Sequence, residues 1–346
     1  MPQSHDPSRP GLLRAGKLPH ADLRRLLGTL GNRDPRVLLG PDIGRDAALI
    51  SFGSTTLIAK TDPVTFATDE IGWYAVQVNA NDIAVSGGTP KWFLATVLLP
   101  EGESLATAEK IFAQMKSAAD SLDVTLVGGH TEITIGLPRP IVAGMMLGEA
   151  PPSETISAAG ARTGDSVILS RGIAIEGTAI LATELRDRLK GAGVPEAIID
   201  RAANLLHDPG ISVVQAAAAA RSTGGVTAMH DPTEGGLATA LAELAEASQA
   251  GLVIDAGSVH VLPETEAICA ALGADPWGLI ASGALLLTAH PASESAIIEA
   301  MASRGVDALV IGQVVERTRG LVLRHARSES TVPVFERDEI ARILET

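Results

Sequence analysis

The chain is 346 residues long and carries 27 Lys plus Arg against 41 Asp plus Glu, a net charge of −14. That acid surplus argues against binding to nucleic acid or to an anionic membrane, because phosphates are held by clustered Lys and Arg. Aromatic residues at 3% leave little to stack on bases, and the single cysteine, Cys269, excludes a disulfide framework or a cluster held by the chain's own thiolates.

Apolar residues at 46% can build a large core, and the length is more typical of two domains than of one. The first 24 residues hold Asp6, Arg9, Arg14, Lys17, Asp22 and Arg24 and no apolar signal core. The most hydrophobic stretch, Ile268 to Ala289, is interrupted by Asp275, Pro276 and Gly283, so no membrane span is expected and a cytoplasmic location is.

Residues 1 to about 36 read as a polar arm with a short helix near Ala21 to Leu30; Pro2, Pro7, Pro10 and Pro19 argue against a packed start. Gly11 to Leu18 matches most of a P-loop but lacks the Ser or Thr that holds magnesium, and no strand precedes it. Ala47 to Phe52 and Thr55 to Lys60 read as strands around a turn at Gly53 and Ser54. Trp73 to Ser86 reads as a helix, with Trp73, Val76, Ala80, Ile83 and Ala84 at helical spacing and Gly87–Gly88 as its stop. Trp92 to Leu99 is a strand, Ser104 caps a second helix, and Val124 to Val127 and Pro140 to Leu147 are strands. A boundary is expected between Glu149 and Thr163, which divides the chain into domains at 37–150 and 151–346. The second domain has a strand from Ser166 and helices at Gly177 to Lys190, Pro195 to Leu206 and Ser212 to Arg221. A further helix follows His230–Asp231–Pro232. Strands are predicted at Leu252 to Asp255, Ala284 to Thr288, Ala308 to Val315 and Leu321 to Arg324. Interleaved strands and helices in both halves give an α/β or α+β fold in two domains.

Several acids stand where elements begin or end. Asp46 precedes the first strand, Asp62 closes the next, and Asp82 lies inside the apolar helix with Asn79 and Ser86 on its face. A carboxylate on an apolar helix needs a partner, and a hard cation held by carboxylates, water and phosphate oxygens is one. Two glycine segments add to this. Gly128-Gly129-His130-Thr131-Glu132 follows a strand, where bare backbone N–H groups could approach a phosphate or simply make a tight turn. In His230-Asp231-Pro-Thr-Glu234-Gly235-Gly236, Asp231 and Glu234 have the spacing of a capping pair, which leaves the two glycines unexplained. Glycines in a first helical turn let an anion come close to the N-terminus. His130 and His230 each read as an acid or base, or as a hydrogen-bonded structural histidine.

The order Gly-x-Asp46-Ala-Ala, Thr61-Asp62, Asn81-Asp82-Ile-Ala, Gly128-Gly-His-Thr-Glu132 and His230-Asp-Pro-Thr-Glu-Gly-Gly-Leu237 resembles the PurM-like superfamily. That group includes aminoimidazole ribonucleotide synthetase, selenophosphate synthetase, thiamine-monophosphate kinase and the hydrogenase maturation protein HypE. The resemblance spans about Gly40 to Val315 and looks most like HypE. It implies two α/β domains, a homodimer in which the N-terminal sheets close a barrel, and ATP with Mg2+ bound between domains and at the dimer interface. By position it implies Asp46, Asp62 and Asp82 as metal ligands. It implies Gly44, Lys60, Thr61, Gly128, Gly129, Thr131, Asp231, Gly235 and Gly236 as nucleotide-binding, and His130, Glu132 and His230 as catalytic.

Two departures stand out. The family often has Asp or Glu where this chain has His130, and HypE proteins end in a cysteine that carries a carbamoyl group, whereas this sequence ends Ile343-Leu-Glu-Thr346. The carbamoyl-to-cyanide reaction is therefore not expected. The expected activity is ATP-dependent phosphorylation of an oxygen on a small substrate. The alternatives are a thiamine-monophosphate-type kinase and a nucleotide-binding assembly factor with a maturation-protein partner.

Overall fold

The computed structural model describes residues 17–18, 20–31 and 34–345. The P-loop-like segment lies outside the described residues except for Lys17 and Leu18. A short helix α1 (His20–Leu27) is followed by β1 (Val37–Leu39), β2 (Ala48–Phe52), β3 (Thr55–Val64), α2 (Ile71–Val85), β4 (Thr89–Pro100), α3 (Leu105–Ser121), β5 (Thr125–Thr134) and β6 (Ile141–Ala150). These strands form one open six-stranded sheet in the order β1-β2-β3-β6-β4-β5, antiparallel except for the parallel β4–β5 pair.

The second half runs β7 (Ser166–Ser170), α4 (Ile175–Glu184), α5 (Arg186–Gly191), α6 (Glu196–Asn204), α7 (Val214–Ser222), β8 (Val226–His230), α8 (Gly236–Ser248), β9 (Gly251–Asp255) and α9 (Pro263–Leu272). It continues with β10 (Leu286–Ala289), α10 (Glu294–Ala302), β11 (Ala308–Val315), β12 (Leu321–His325), β13 (Ser328–Thr331) and α11 (Glu339–Leu344). Its seven-stranded sheet has the order β13-β12-β9-β11-β7-β10-β8. The two-sheet α/β architecture is the one the sequence pattern predicts. β8 escapes that reading because Val226–His230 lies among Gly, Thr and Ser and is only five residues long.

The helix α2 organises the first half. It is apolar all round, and it is buried all round. It packs on β3 and β6 on one side, on α3 on another, and meets α7 of the second half. Phe93, Ile58, Ile83 and Met146 are fully buried in this layer, and each such side chain contributes about 1.5–3 kcal/mol relative to exposure. The polar residues of α2 therefore need partners, and the two asparagines find them. Asn79 accepts from the Asp62 backbone N–H at 2.9 Å and donates to the Ala75 carbonyl at 2.8 Å. Asn81 donates to the Ile211 carbonyl and accepts from the Val213 N–H, both at 2.8 Å, which ties α2 to the second half.

Two local expectations are corrected. Asp62 does not close its strand; β3 runs on through Asp62 and Pro63 to Val64, paired with β6. The glycine segment Gly128–Glu132 is not a loop after a strand but the middle of β5, exposed along the sheet edge. A Cβ at Gly129 would sit 2.0 Å from the Ala95 carbonyl oxygen of β4, so close strand approach is the reason for glycine there.

Candidate active site

The site is built where β2, β3 and α2 of the first half face β8 and the β8–α8 turn of the second. Lys60 points from β3 between two acids, 3.2 Å from Asp62 and 3.4 Å from Asp82. Lys60 and Asp62 share a face because side chains alternate along a strand, and Asp82 arrives from the buried helix. Burial alone would disfavour the Lys60 charge, but Asp82, Asp62, Asp46 and Asp231 outweigh it and hold the ammonium protonated. Asp82 is itself pushed up by burial, against the pull of Lys60.

A second group meets this one. His230, at the end of β8, is buried with both ring nitrogens engaged: Nδ1 to Asp46 at 2.9 Å and Nε2 to Glu243 of α8 at 2.9 Å. Burial disfavours its charge, but the two carboxylates prevail and raise its pKa well above the usual histidine range. The ring is thus an imidazolium strut that fixes Asp46, not a free base. Asp231 follows it in sequence, is fully buried, and among the described residues neither of its oxygens has a hydrogen-bond partner. Its pKa is pushed up to about 7, by burial and by Asp46, with His230 and Lys60 opposing.

Asp46, His230 and Asp231 each bring one ligand atom within 4.8 Å of one another. Both His230 nitrogens are committed, so the carboxylates are the available donors. Asp46, Asp62, Asp82 and Asp231 outnumber the two cations Lys60 and His230 in this buried space. Orphaned carboxylate oxygens with surplus negative charge fit a hard, oxygen-preferring divalent cation such as Mg2+.

The turn into α8 departs from the capping expectation. Gly235 is the N-cap residue, and no side chain caps the helix. Gly235 and Gly236 have φ of 87° and 62°, and a Cβ at Gly236 would lie 2.4 Å from the Trp277 carbonyl. The Gly235 N–H donates to Asp338, and the Gly236 N–H to the Thr233 carbonyl at 3.0 Å. Backbone conformation and packing thus account for both glycines. Gly44 also has a positive φ, 72°, and packs against the Glu243 carbonyl.

Beside these acids opens a cleft of about 510 Å³ between the halves, with Asp62, Val78, Glu176, Thr233 and Ser282 among its walls. Lys17 of the N-terminal arm reaches over it, donating to Thr233 Oγ1 at 3.1 Å and lying 3.9 Å from Glu243. Thr61 donates to the Gly144 carbonyl across β3–β6 at 2.7 Å. His130, Thr131 and Glu132 are exposed on β5, with His130 3.4 Å from Glu132, and the cleft walls do not include them. The fold therefore gathers Asp46, Lys60, Asp62, Asp82, His230 and Asp231, and leaves the β5 residues on a separate edge.

Residues 44–150 match the N-terminal domain model of AIR synthase related proteins, and residues 162–323 match the C-terminal domain model. The chain belongs to the AIR synthase related family. Within the family it resembles the HypE proteins. It is 34% identical over 289 residues to the carbamoyl dehydratase HypE of Cupriavidus necator, covering 81% of this chain and 79% of that one. Among solved structures, HypE in a HypE–HypF complex superposes with a TM-score of 0.72 at 22% identity, covering 90% of this chain and 98% of that one. HypE in complex with ATP superposes with a TM-score of 0.67 at 23% identity, covering 91% of each. These two likenesses bear on the fold.

Glu176, Glu243, Ser282 and Asp338 escaped the sequence reading, and Lys17 entered it only within the P-loop-like segment. Their placement depends on contacts far apart in the chain. The one local signal was Glu176, an acid in the otherwise apolar Gly172–Leu181, the same pattern that singled out Asp82.

Proposed function

We propose that this protein is an ATP-dependent enzyme that phosphorylates an oxygen atom of a small acceptor, with the nucleotide and Mg2+ held at the acid-lined junction of domains 37–150 and 151–346. The observation that carries the reading is Asp231, fully buried beside Asp46 with both oxygens unpartnered. The HypE solved in complex with ATP supports nucleotide use on the same fold.

Asp46, Asp62, Asp82 and Asp231 are the residues suited to hold the metal, which when bound would neutralise phosphate charge and polarise the transferred group. Lys60 lies between Asp62 and Asp82 and orients both carboxyl groups, opposing the burial that raises Asp82. His230, clamped between Asp46 and Glu243, fixes the Asp46 carboxylate from behind, a positioning role. Burial of Asp82, His230 and Asp231 strengthens the charge interactions they make at the junction.

Cys269 is not suited to carry a transferred group. It is 3% exposed inside α9, and burial, with Asp275 and Glu339 adding, pushes its thiol up to about 12. A thiolate is required for such chemistry, and here it is suppressed.

We also propose a homodimer through β5, with the solved HypE–HypF pair supporting a maturation-protein partner for the same fold. The test of the catalytic reading is a metabolite screen for ADP release. Turnover that requires Mg2+ and one class of small acceptor is the expected result. ADP release that requires a protein partner and ignores every acceptor favours the assembly-factor reading.

A further inference from the structure

The far wall of the cleft carries two buried polar side chains that the phosphoryl-transfer machinery does not use. Glu176, in the first turn of α4, is 5% exposed, and Ser282 is fully buried. Both line the cleft that Asp62 also lines. Among the described residues Glu176 Oε2 and Ser282 Oγ have no hydrogen-bond partner, although the hydroxyl lies near enough to favour the ionised carboxylate. A native fold seldom leaves two neighbouring buried polar groups unsatisfied unless something else completes them. The surroundings are apolar: Val78, Ile180 and Ile280 stand beside the pair. The cations on the walls are already occupied, Arg139 by the Thr65 carbonyl and Lys17 by Thr233 and Glu243.

We propose that Glu176 and Ser282 form the acceptor subsite, and that it takes a small molecule with a nitrogen head that donates N–H groups and an apolar body. A carboxylate accepts hydrogen bonds only, and a serine hydroxyl can accept one while donating another. An N–H-bearing head therefore satisfies both at once. Where Glu176 is ionised, above about pH 7, a carboxylate or phosphate head meets it as a like charge with Asp62 on the same wall and is disfavoured. The apolar flank takes the body of the acceptor, while the opposite end of the molecule faces Asp62 and the metal-type acids. This assignment rests on the phosphoryl-transfer reading for the word acceptor, but the recognition itself does not.

The experiment uses three probes of nearly one shape: benzamidine, benzamide and benzoate, titrated calorimetrically at about pH 8, where Glu176 is ionised, into the full-length protein with and without Mg-ATP. Benzamidine and benzamide should bind saturably, at least tenfold more tightly than benzoate. Glu176→Gln should weaken benzamidine at least tenfold, and Ser282→Ala should weaken both N–H donors, with Mg-ATP affinity intact in each variant. Benzamidine ahead of benzamide would assign a cationic head, and the reverse a neutral amide; either supports the subsite. Benzoate binding as tightly as benzamidine, or benzamidine binding unchanged in Glu176→Gln, would overturn it. If Glu176-dependent binding is seen and Mg-ATP does not bind, the nucleotide reading fails and this subsite stands. Circular dichroism of both variants checks folding, and the single-atom-scale change in Ser282→Ala keeps the test open if Glu176→Gln is unstable.

Discussion

At the scale of single residues, burial decides what each carboxylate can do. Asp82 sits in a helix with no solvent face, so burial disfavours its charge and Lys60 opposes that. Asp82→Asn removes the metal-binding carboxylate and keeps the shape; it should weaken Mg-ATP binding at least tenfold by calorimetry while the far-ultraviolet spectrum stays unchanged. Unaltered affinity would remove Asp82 from the site. Glu176 gives a pH prediction. Burial pushes its pKa from an ordinary 4.5 up to about 7. Between those values the folded protein keeps a proton that the unfolded chain has lost, so the stability contribution falls as pH rises and stays at its lowest above about 7. Glu176→Gln cannot ionise. In the ligand-free protein the variant should melt above the parent at pH 8, by no more than about 3 kcal/mol for that shift, and the gap should close toward pH 5. A gap that widens on acidification would show that Glu176 is held by a partner in its charged form.

At the scale of elements, two helices test how local rules carry over. The Ser104 hydroxyl accepts from the Thr107 N–H at 3.2 Å and caps α3, as its position before an amphipathic run predicts. Ser104→Ala should cost about 1 kcal/mol in denaturant unfolding and leave nucleotide binding alone. The helix α9 holds Cys269 on its buried side with Ile268 and Leu272. A thiol there acts as a small hydrophobe. Cys269→Ala should cost roughly 1 kcal/mol and preserve ADP release, and the native thiol should resist iodoacetamide until the chain unfolds. Rapid labelling of the folded protein, or loss of turnover in a folded variant, would give Cys269 a chemical role.

At the scale of the whole molecule, the unresolved feature is the edge of the first sheet. Among the described residues β5 pairs only with β4, and Leu126, Val127, Ile133 and Ile135 along and beyond it are exposed, Ile135 by 85%. An exposed apolar edge strand is an aggregation hazard unless it is covered. A second copy of the chain covering this face would satisfy it, and sedimentation velocity at micromolar concentration should show a dimer. Placing a charge there with Ile133→Glu should shift the equilibrium toward monomer by at least tenfold in dissociation constant. A parent protein that sediments as a monomer would overturn the dimer.

The chain's periodicity and its acids, read alone, determined the α/β class, the helix α2, the capped helix α3 and the acids Asp46, Asp62 and Asp82, because these depend on spacing along the chain. The Gly128–Glu132 segment shows where that stops. Two adjacent glycines read as a turn, and only the proximity of Ala95 on the neighbouring strand shows why glycine is needed inside β5. The Asp231–Glu234 spacing likewise read as a cap, yet Asp231 is buried without a partner and the helix starts at Gly236. The pairing of His230 with Asp46, 184 residues apart, and of Glu176 with the Ser282 wall of the cleft came from tertiary structure alone. A short motif fixes which groups are present; long-range packing fixes which are desolvated and which charges face them, and those two quantities set the chemistry.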